Sequence, residues 1–205
     1  MYAVALKIAG QSCASIETMR VIAGKFRSRT LVAPLGLDTR PTSDRLRETL
    51  FNVLAPRIDG AAFLDLYAGS GANGIEALSR GAKSVVFVEK AAPAAAAIRT
   101  NLQSLGVQGG WQLETRSAVA SVRRLAEQGQ RFDVVFLDPP YKAVDEYALV
   151  MGLFGGESES LLEDKAVVIA EHHRKQTLED GYGGLHRYRL LEQGDAALSF
   201  FWINP

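Results

Sequence analysis

Apolar residues recur along this chain with two different periods, and the two periods alternate. Short blocks rich in Val, Leu and Phe at 61–66, 84–89, 111–115, 132–137 and 166–172 read as strands, most of them apolar on both faces. Between them, 73–80, 91–105, 118–128 and 144–154 carry helical spacing. Strand and helix in strict alternation imply a parallel sheet with helices on both faces. The chain then changes habit: strands at 185–192 and 196–203 have no helix between them, only the turn Gly194-Asp195. The expectation is an α/β, Rossmann-like fold with a mostly parallel seven-stranded sheet and an antiparallel C-terminal edge.

The N-terminal part follows other rules. Residues 1–18 show no clear period and read as a disordered extension or a start-site artefact, with the pattern beginning at Met19. Two short strands are expected at 21–26 and 30–34, joined by a basic turn, then a Gly/Pro-marked loop at 34–41. A helix is expected over 42–54, with Thr42 as its N-cap, Asp44 in its first turn, and Leu46, Leu50, Val53 and Leu54 as its apolar stripe. The division is thus an extension (1–18), a hairpin and helix (19–60), and an α/β domain (61–205).

Composition narrows the class. The apolar fraction of 47% and charged fraction of 22% are those of a globular protein. No run approaches the roughly 18 apolar residues that span a bilayer, and the first residues lack a signal-peptide pattern. A single cysteine, Cys13, excludes an internal disulfide framework and suits a reducing compartment, so a cytoplasmic location is expected. The formal net charge is zero, yet the charge is uneven. Arg20, Lys25, Arg27, Arg29, Arg40, Arg45 and Arg47 face only Asp38 and Asp44, which marks one basic face suited to phosphate.

Candidate chemistry gathers where strands end. After the first sheet strand comes Asp65-Leu66-Tyr67-Ala68-Gly69-Ser70-Gly71-Ala72-Asn73-Gly74, a G-x-G-x-x-G loop between strand and helix. Glu89, at the tip of the second strand, is placed to hold two ribose hydroxyls. Those features alone suit a nicotinamide dinucleotide equally well. Asp65 tilts the choice: a carboxylate beside the loop, with no nearby Lys or Arg for phosphate, favours a ligand bearing an ammonium group, as S-adenosylmethionine does.

At the end of the fourth sheet strand stands Asp138-Pro139-Pro140-Tyr141. Proline lacks a backbone N–H and has a fixed φ, so two in succession stiffen the loop. Asp138 and the Pro139 carbonyl are candidate acceptors for an exocyclic amine, with Tyr141 stacking on the ring that carries it. Loop, acid and D-P-P-Y all lie at the carboxyl edge of one sheet, where open α/β sheets bind ligands. His172-His173, next to Glu171, is not read as a metal site, because neighbouring side chains on a strand diverge.

Together, Asp65–Gly71 and Asp138–Tyr141 resemble the class I S-adenosylmethionine-dependent methyltransferases that modify amino groups. Arg40-Pro41-Thr42-Ser43-Asp44-Arg45-Leu46-Arg47-Glu48-Thr49-Leu50-Phe51-Asn52 is similar to a signature of the bacterial 16S rRNA guanine-N2 methyltransferases, as is Gly74-Ile75-Glu76-Ala77-Leu78-Ser79-Arg80-Gly81-Ala82. The likeness spans residues 19 to 202. It implies cofactor contacts from Asp65, Gly69, Ser70, Gly71 and Glu89, to which Tyr67, Lys90, Ser117, Ala118 and Asp138 are added as candidates. It implies a catalytic pocket of Asp138, Pro139, Pro140 and Tyr141. It also implies RNA contacts in the 20–47 region, for which Arg27, Arg29, Arg40, Thr42, Arg45 and Arg47 are the candidates. The chain departs from the family in two places: Ala23-Gly24 and Ser28 replace a Gly-Gly and a later Gly, and Ser117-Ala118 replaces an Asp expected at the cofactor adenine.

The reaction so implied is methyl transfer from S-adenosylmethionine to a guanine N2 of 16S rRNA, within a small-subunit particle or an assembly intermediate. No obligate protein partner, membrane contact or metal is implied. The rivals are a DNA adenine-N6 methyltransferase, a protein-glutamine methyltransferase (disfavoured by Asp at 138, where N-P-P-Y is usual), and a nicotinamide-dependent oxidoreductase.

Overall fold

The computed structural model describes residues 19–33, 44–140 and 144–203. Thr42, Arg40, Tyr141 and the expected 34–41 loop lie outside them, as does the expected 1–18 extension. Helix α1 (Asp44–Leu54) precedes strand β1 (Ala62–Leu66). The alternating part follows: α2 (Ala72–Ser79), β2 (Ser84–Val88), α3 (Ala92–Ser104), β3 (Trp111–Glu114), α4 (Ala118–Glu127), β4 (Phe132–Leu137) and α5 (Val144–Phe154). The chain ends with β5 (Leu162–His173), β6 (Gly181–Tyr182), β7 (Leu185–Gln193) and β8 (Ala196–Ile203).

The eight strands form one sheet in the order β3-β2-β1-β4-β5-β8-β7-β6. Strand β1 pairs in parallel with β2 on one side and β4 on the other, while β8 runs antiparallel between β5 and β7. The chain thus leaves β1 in one direction and returns on its other flank. That reversal opens a crevice beyond the carboxyl ends of β1 and β4.

Both faces of the sheet are covered, which explains the unbroken apolar runs. On β4, Val134 and Phe136 face a core shared with α1, α2 and α3, including Phe51, Phe63, Ile75 and Ile98. Val135 and Leu137 face the other core, with Val122 of α4 and Tyr147, Val150 and Phe154 of α5. Phe51 of α1 stacks on Phe63 of β1 with centroids 6.2 Å apart, fixing the helix against the sheet. Among the described residues, no helix is long and apolar enough to cross a membrane.

Three expectations are corrected. The sheet has eight strands rather than seven, because the two-residue β6 folds back on β7 through Gly183-Gly184 and is too short to show a period. Strand β5 starts at Leu162, before the expected Ala166; a register shift opposite β4 and the left-handed Lys165 (φ 71°) let the charged run Glu163-Asp164-Lys165 join it. The N-terminal hairpin is not two strands. It holds one isolated bridge, Arg20 to Thr30, and a 3-10 turn at Gly24–Phe26. The N–H groups of Val21, Ser28 and Leu31 pair across the arm, but three others go to α2: Ile22 and Ala23 donate to the Glu76 carboxylate at 2.7 and 3.0 Å, and Phe26 donates to Ser79 Oγ at 2.9 Å. A buried carboxylate is a stronger acceptor than a strand carbonyl, so α2 holds this arm.

Candidate active site

The glycine loop does what its residue types require. Gly69 and Gly71 take left-handed backbone (φ 56° and 81°), and Gly71 opens α2. A Cβ on Gly74 would stand 2.2 Å from the Phe87 ring, so this glycine brings α2 down onto β2. At Gly69 a Cβ would meet nothing within 4 Å, which leaves open space beside the loop.

Asp65 sits under that loop, 1% exposed, with Oδ2 accepting the Gly74 N–H at 2.8 Å. Burial pushes its carboxyl up to about 7; the Gly74 hydrogen bond pulls it back, and the charge of Glu89 adds to the rise. Glu89 braces the same loop, accepting from Gly69 N at 2.9 Å and from Ala91 N at 2.7 Å. Each of its oxygens keeps a second lone pair for a ribose hydroxyl. Tyr67, at φ 62°, turns its hydroxyl to donate to Glu146 of α5, and burial with that carboxylate pushes the phenol up. Ser70 is buried, its hydroxyl donating to Met19 Sδ at 3.3 Å. Ser117 caps α4 by accepting from Ala120 N at 3.3 Å, with Ala118 buried behind it and Lys90 exposed.

Asp138 follows the last residue of β4 and is half-buried. Leu137 lies opposite Ala170 of β5, so Asp138 is level with Glu171, itself 5% exposed. Burial, then the charge of Glu171, then that of Asp65, hold the Asp138 carboxyl well above the usual carboxylate range. Carboxylates from β1, β4 and β5 therefore converge on one crevice. Pro139 is buried and Pro140 exposed. A cavity of about 520 Å³ lined by Arg131, Leu162, Lys165 and Ile203 holds none of these residues. It lies around the start of β5, at the other edge of the sheet.

Of the candidate RNA contacts, Arg27, Arg29 and Arg45 are exposed. Arg29 also donates to the Ser104 carbonyl at 2.8 Å. Arg47 is a correction: it is fully buried, donating to Arg20 O at 2.7 Å and to Asp44 Oδ1 at 2.6 Å, with Nε and Nη1 left without partners. It shares the helical stripe of Leu50, Phe51 and Leu54, so it reaches no phosphate here.

Sequence reasoning missed several residues the geometry brings in. In the sequence Glu171 stands out only as a neighbour of the histidines, because its approach to Asp138 depends on strand register. His172 instead points its ring at Ser199 Oγ, 2.9 Å away, and burial pushes its imidazole down. Asn101 carried no signal at all. Its carboxamide, fully buried on α3, bonds to both Ser70 O and Val32. Glu76, which anchors the arm, lies inside the Gly74–Ala82 stretch, where nothing local signals its distant partners.

A parallel sheet reversing at β1, a glycine loop above a buried acid, and a D-P-P tip across the crevice define a class I methyltransferase fold. Over residues 19–202 the chain matches the family model described as conserved hypothetical protein 95, and it belongs to that family. A Bacillus subtilis protein provisionally named an rRNA methyltransferase is 38% identical over 183 residues, 89% of this chain and 98% of that one. The Escherichia coli K12 ribosomal RNA small subunit methyltransferase D is 41% identical over 179 residues, 85% and 86% of the two chains. A solved Escherichia coli structure, provisionally named a methyltransferase, superposes with a TM-score of 0.75 at 33% identity, covering 90% of this chain and 97% of that one. A further structure, solved with S-adenosylhomocysteine (SAH), shares the fold at 14% identity and a TM-score of 0.62, covering 76% of this chain and 48% of the other.

Proposed function

We propose that this protein transfers the methyl group of S-adenosylmethionine to the exocyclic N2 of a guanine in 16S rRNA. The substrate would be a small-subunit particle or an assembly intermediate in the cytoplasm. The observation that carries the reading is the placement of Asp138 and Pro139 across one crevice from the Asp65–Gly71 loop. The residues present fit the cofactor. Asp65 is a buried carboxyl that a cation relieves, Gly69 leaves open space, and Glu89 keeps lone pairs for a ribose. The cofactor supplies an activated methyl on a sulfonium, and its departure leaves a neutral thioether.

The protein's own contribution is alignment. A guanine amine is a weak nucleophile because its lone pair is delocalised into the ring. Asp138 and the Pro139 carbonyl accept its two protons, favouring a pyramidal nitrogen with its lone pair aimed at the methyl. The N–C bond forms as the S–C bond breaks, and the amine proton is shed afterwards, so no strong base is needed. The base must be unstacked to enter, at a cost of a few kcal/mol.

The test is label transfer from tritiated S-adenosylmethionine to undermethylated small-subunit particles, their extracted rRNA and duplex DNA, followed by identification of the labelled nucleoside. N2-methylguanosine is the expected product. Label in DNA N6-methyladenine transfers the pocket to the rival chemistry. No label, with no cofactor binding by calorimetry, rejects methyl transfer.

A further inference from the structure

Tyr188 and Trp202 stack on the outermost strands with ring centroids 4.3 Å apart and planes 21° from parallel. Both stay exposed, at 38% and 44%. Their placement is built: β7 carries a register shift between Arg187 and Arg189, and Tyr188 is the extra residue turned onto the Trp202 ring. Tyr188 also leans on buried Phe200 at 6.2 Å, and the Arg189 guanidinium lies over that same ring at 5.8 Å. Arg57, at the end of α1, is fixed by donating to the Lys165 carbonyl at 3.0 Å. Burial pushes the Tyr188 phenol up, and the charges of Arg57 and Arg189 pull it back.

The surroundings are cationic on a protein of zero net charge. By register, the β7 residues that share this face are His186, Arg189, Leu191 and Gln193, and none is acidic. Position separates the patch from the crevice. Phe201 lies opposite Val168, so Trp202 is level with Val167 of β5, whereas Asp138 is level with Glu171, four residues further on. The separation along β5 is about 13 Å. Helix α1 lies on the same face, with Thr49 donating to Gln193 Oε1 at 2.8 Å, so exposed Arg45 and the patch look out from one side.

We propose that Tyr188, Trp202, Arg57 and Arg189 form a second RNA contact, which stacks unpaired bases on the ring pair and holds their phosphates with the two guanidiniums. Flat aromatic platforms flanked by arginine suit single-stranded nucleotides, whose bases all present a π-face. This rests on the reading of the protein as an rRNA methyltransferase, and adds a contact outside its catalytic pocket.

The test uses the full chain. The sequence has two tryptophans, so Trp111→Phe leaves Trp202 as the only indole reporter. Single-stranded RNA should quench it and duplex RNA should not. Trp202→Ala should weaken binding to small-subunit particles about tenfold, whereas Trp202→Phe, which keeps a stacking ring, should restore most of it. Joint Arg57→Gln and Arg189→Gln should lower the salt dependence of binding by roughly one to two in slope. In methyl transfer these variants should raise KM for the particle and leave kcat unchanged. Wild-type methylation with variants that bind RNA as tightly as wild type would overturn the patch and leave the function standing. The patch also falls if Trp202→Ala changes only self-association. A wild type that neither binds nor methylates rRNA rejects both readings.

Discussion

The carboxamide of Asn101 donates to the carbonyl of Ser70 at 3.0 Å, tying helix α3 to the glycine loop. The same side chain donates to Val32 O at 3.1 Å and accepts from Val32 N at 2.7 Å. One buried amide therefore joins the basic N-terminal arm to the glycine loop.

Loss of that amide should be felt in two places. Asn101→Ala leaves the Val32 N–H and Ser70 carbonyl without partners and should cost about 2 kcal/mol of stability. It should also weaken S-adenosylmethionine binding, because the loop loses a fixed point. Ser79→Ala is the control. It frees Phe26 N and Ala23 O of the arm without touching Ser70, so it should lower the melting temperature and leave cofactor affinity unchanged. Calorimetry on both variants separates the two effects.

Cofactor binding should depend on pH through Asp65. Its carboxyl, pushed up to about 7, is largely protonated at pH 6 and ionised at pH 8. A cationic ligand prefers the ionised form, so affinity should rise across that range. About one proton should be released per ligand bound at the acid end. Stability of the ligand-free protein moves the other way. Between about pH 4 and 7 the folded Asp65 holds a proton that the unfolded chain has shed, so its contribution to stability is present at low pH and lost as pH rises through 7. Titrations in buffers of different ionisation enthalpy measure the proton, and Asp65→Asn should abolish its release.

These two devices show what was legible in the sequence and what was not. Strands buried on both faces, such as β1 and β4, announce themselves as apolar runs, and the glycine loop is readable because Gly69 and Gly71 take left-handed backbone. The arm was misread because its hydrogen-bond partners, Glu76 and Ser79, lie more than fifty residues away. Glu171 and Asn101 escaped notice for the same reason. Their importance comes from strand register and helix packing, which no local pattern encodes. Arg47 was misplaced because a basic run conceals that it shares the buried stripe of Phe51 and Leu54.

Asp138 gives the sharpest test of the chemistry. Asp138→Asn keeps one acceptor oxygen but turns the other half of the side chain into a fixed donor facing the amine, so methyl transfer should fall about a hundredfold or more through lost alignment. RNA affinity should be nearly unchanged. Single-turnover rates alongside filter binding make that comparison.

The two arginines of α1 should separate cleanly. Arg45 is exposed, and Arg45→Gln should weaken RNA binding and reduce its salt dependence by about one charge's worth. Arg47 is buried with two unpaired donors, so Arg47→Met should leave the salt dependence of RNA binding as it is. Its effect on stability should be small, because the Asp44 carboxylate left behind is 38% exposed and keeps Arg20 Nε at 3.4 Å, so no buried charge is stranded. Binding isotherms at two salt concentrations distinguish the pair.

The arm's turn makes the last prediction. A Cβ on Gly24 would stand 1.9 Å from the Ser79 carbonyl oxygen, and Gly24 already has φ 80°, so Gly24→Ala must push the arm off α2. It should destabilise by more than 2 kcal/mol, beyond the cost of left-handed backbone alone. Ser28 poses the opposite case: it takes φ 66° with a side chain. Relief of strain there outweighs the extra freedom glycine gives the unfolded chain, so Ser28→Gly should stabilise by about 0.5 kcal/mol. Thermal melts of the two variants should move in opposite directions. A fall in both would mean that the Ser28 side chain supplies a contact worth more than its strain.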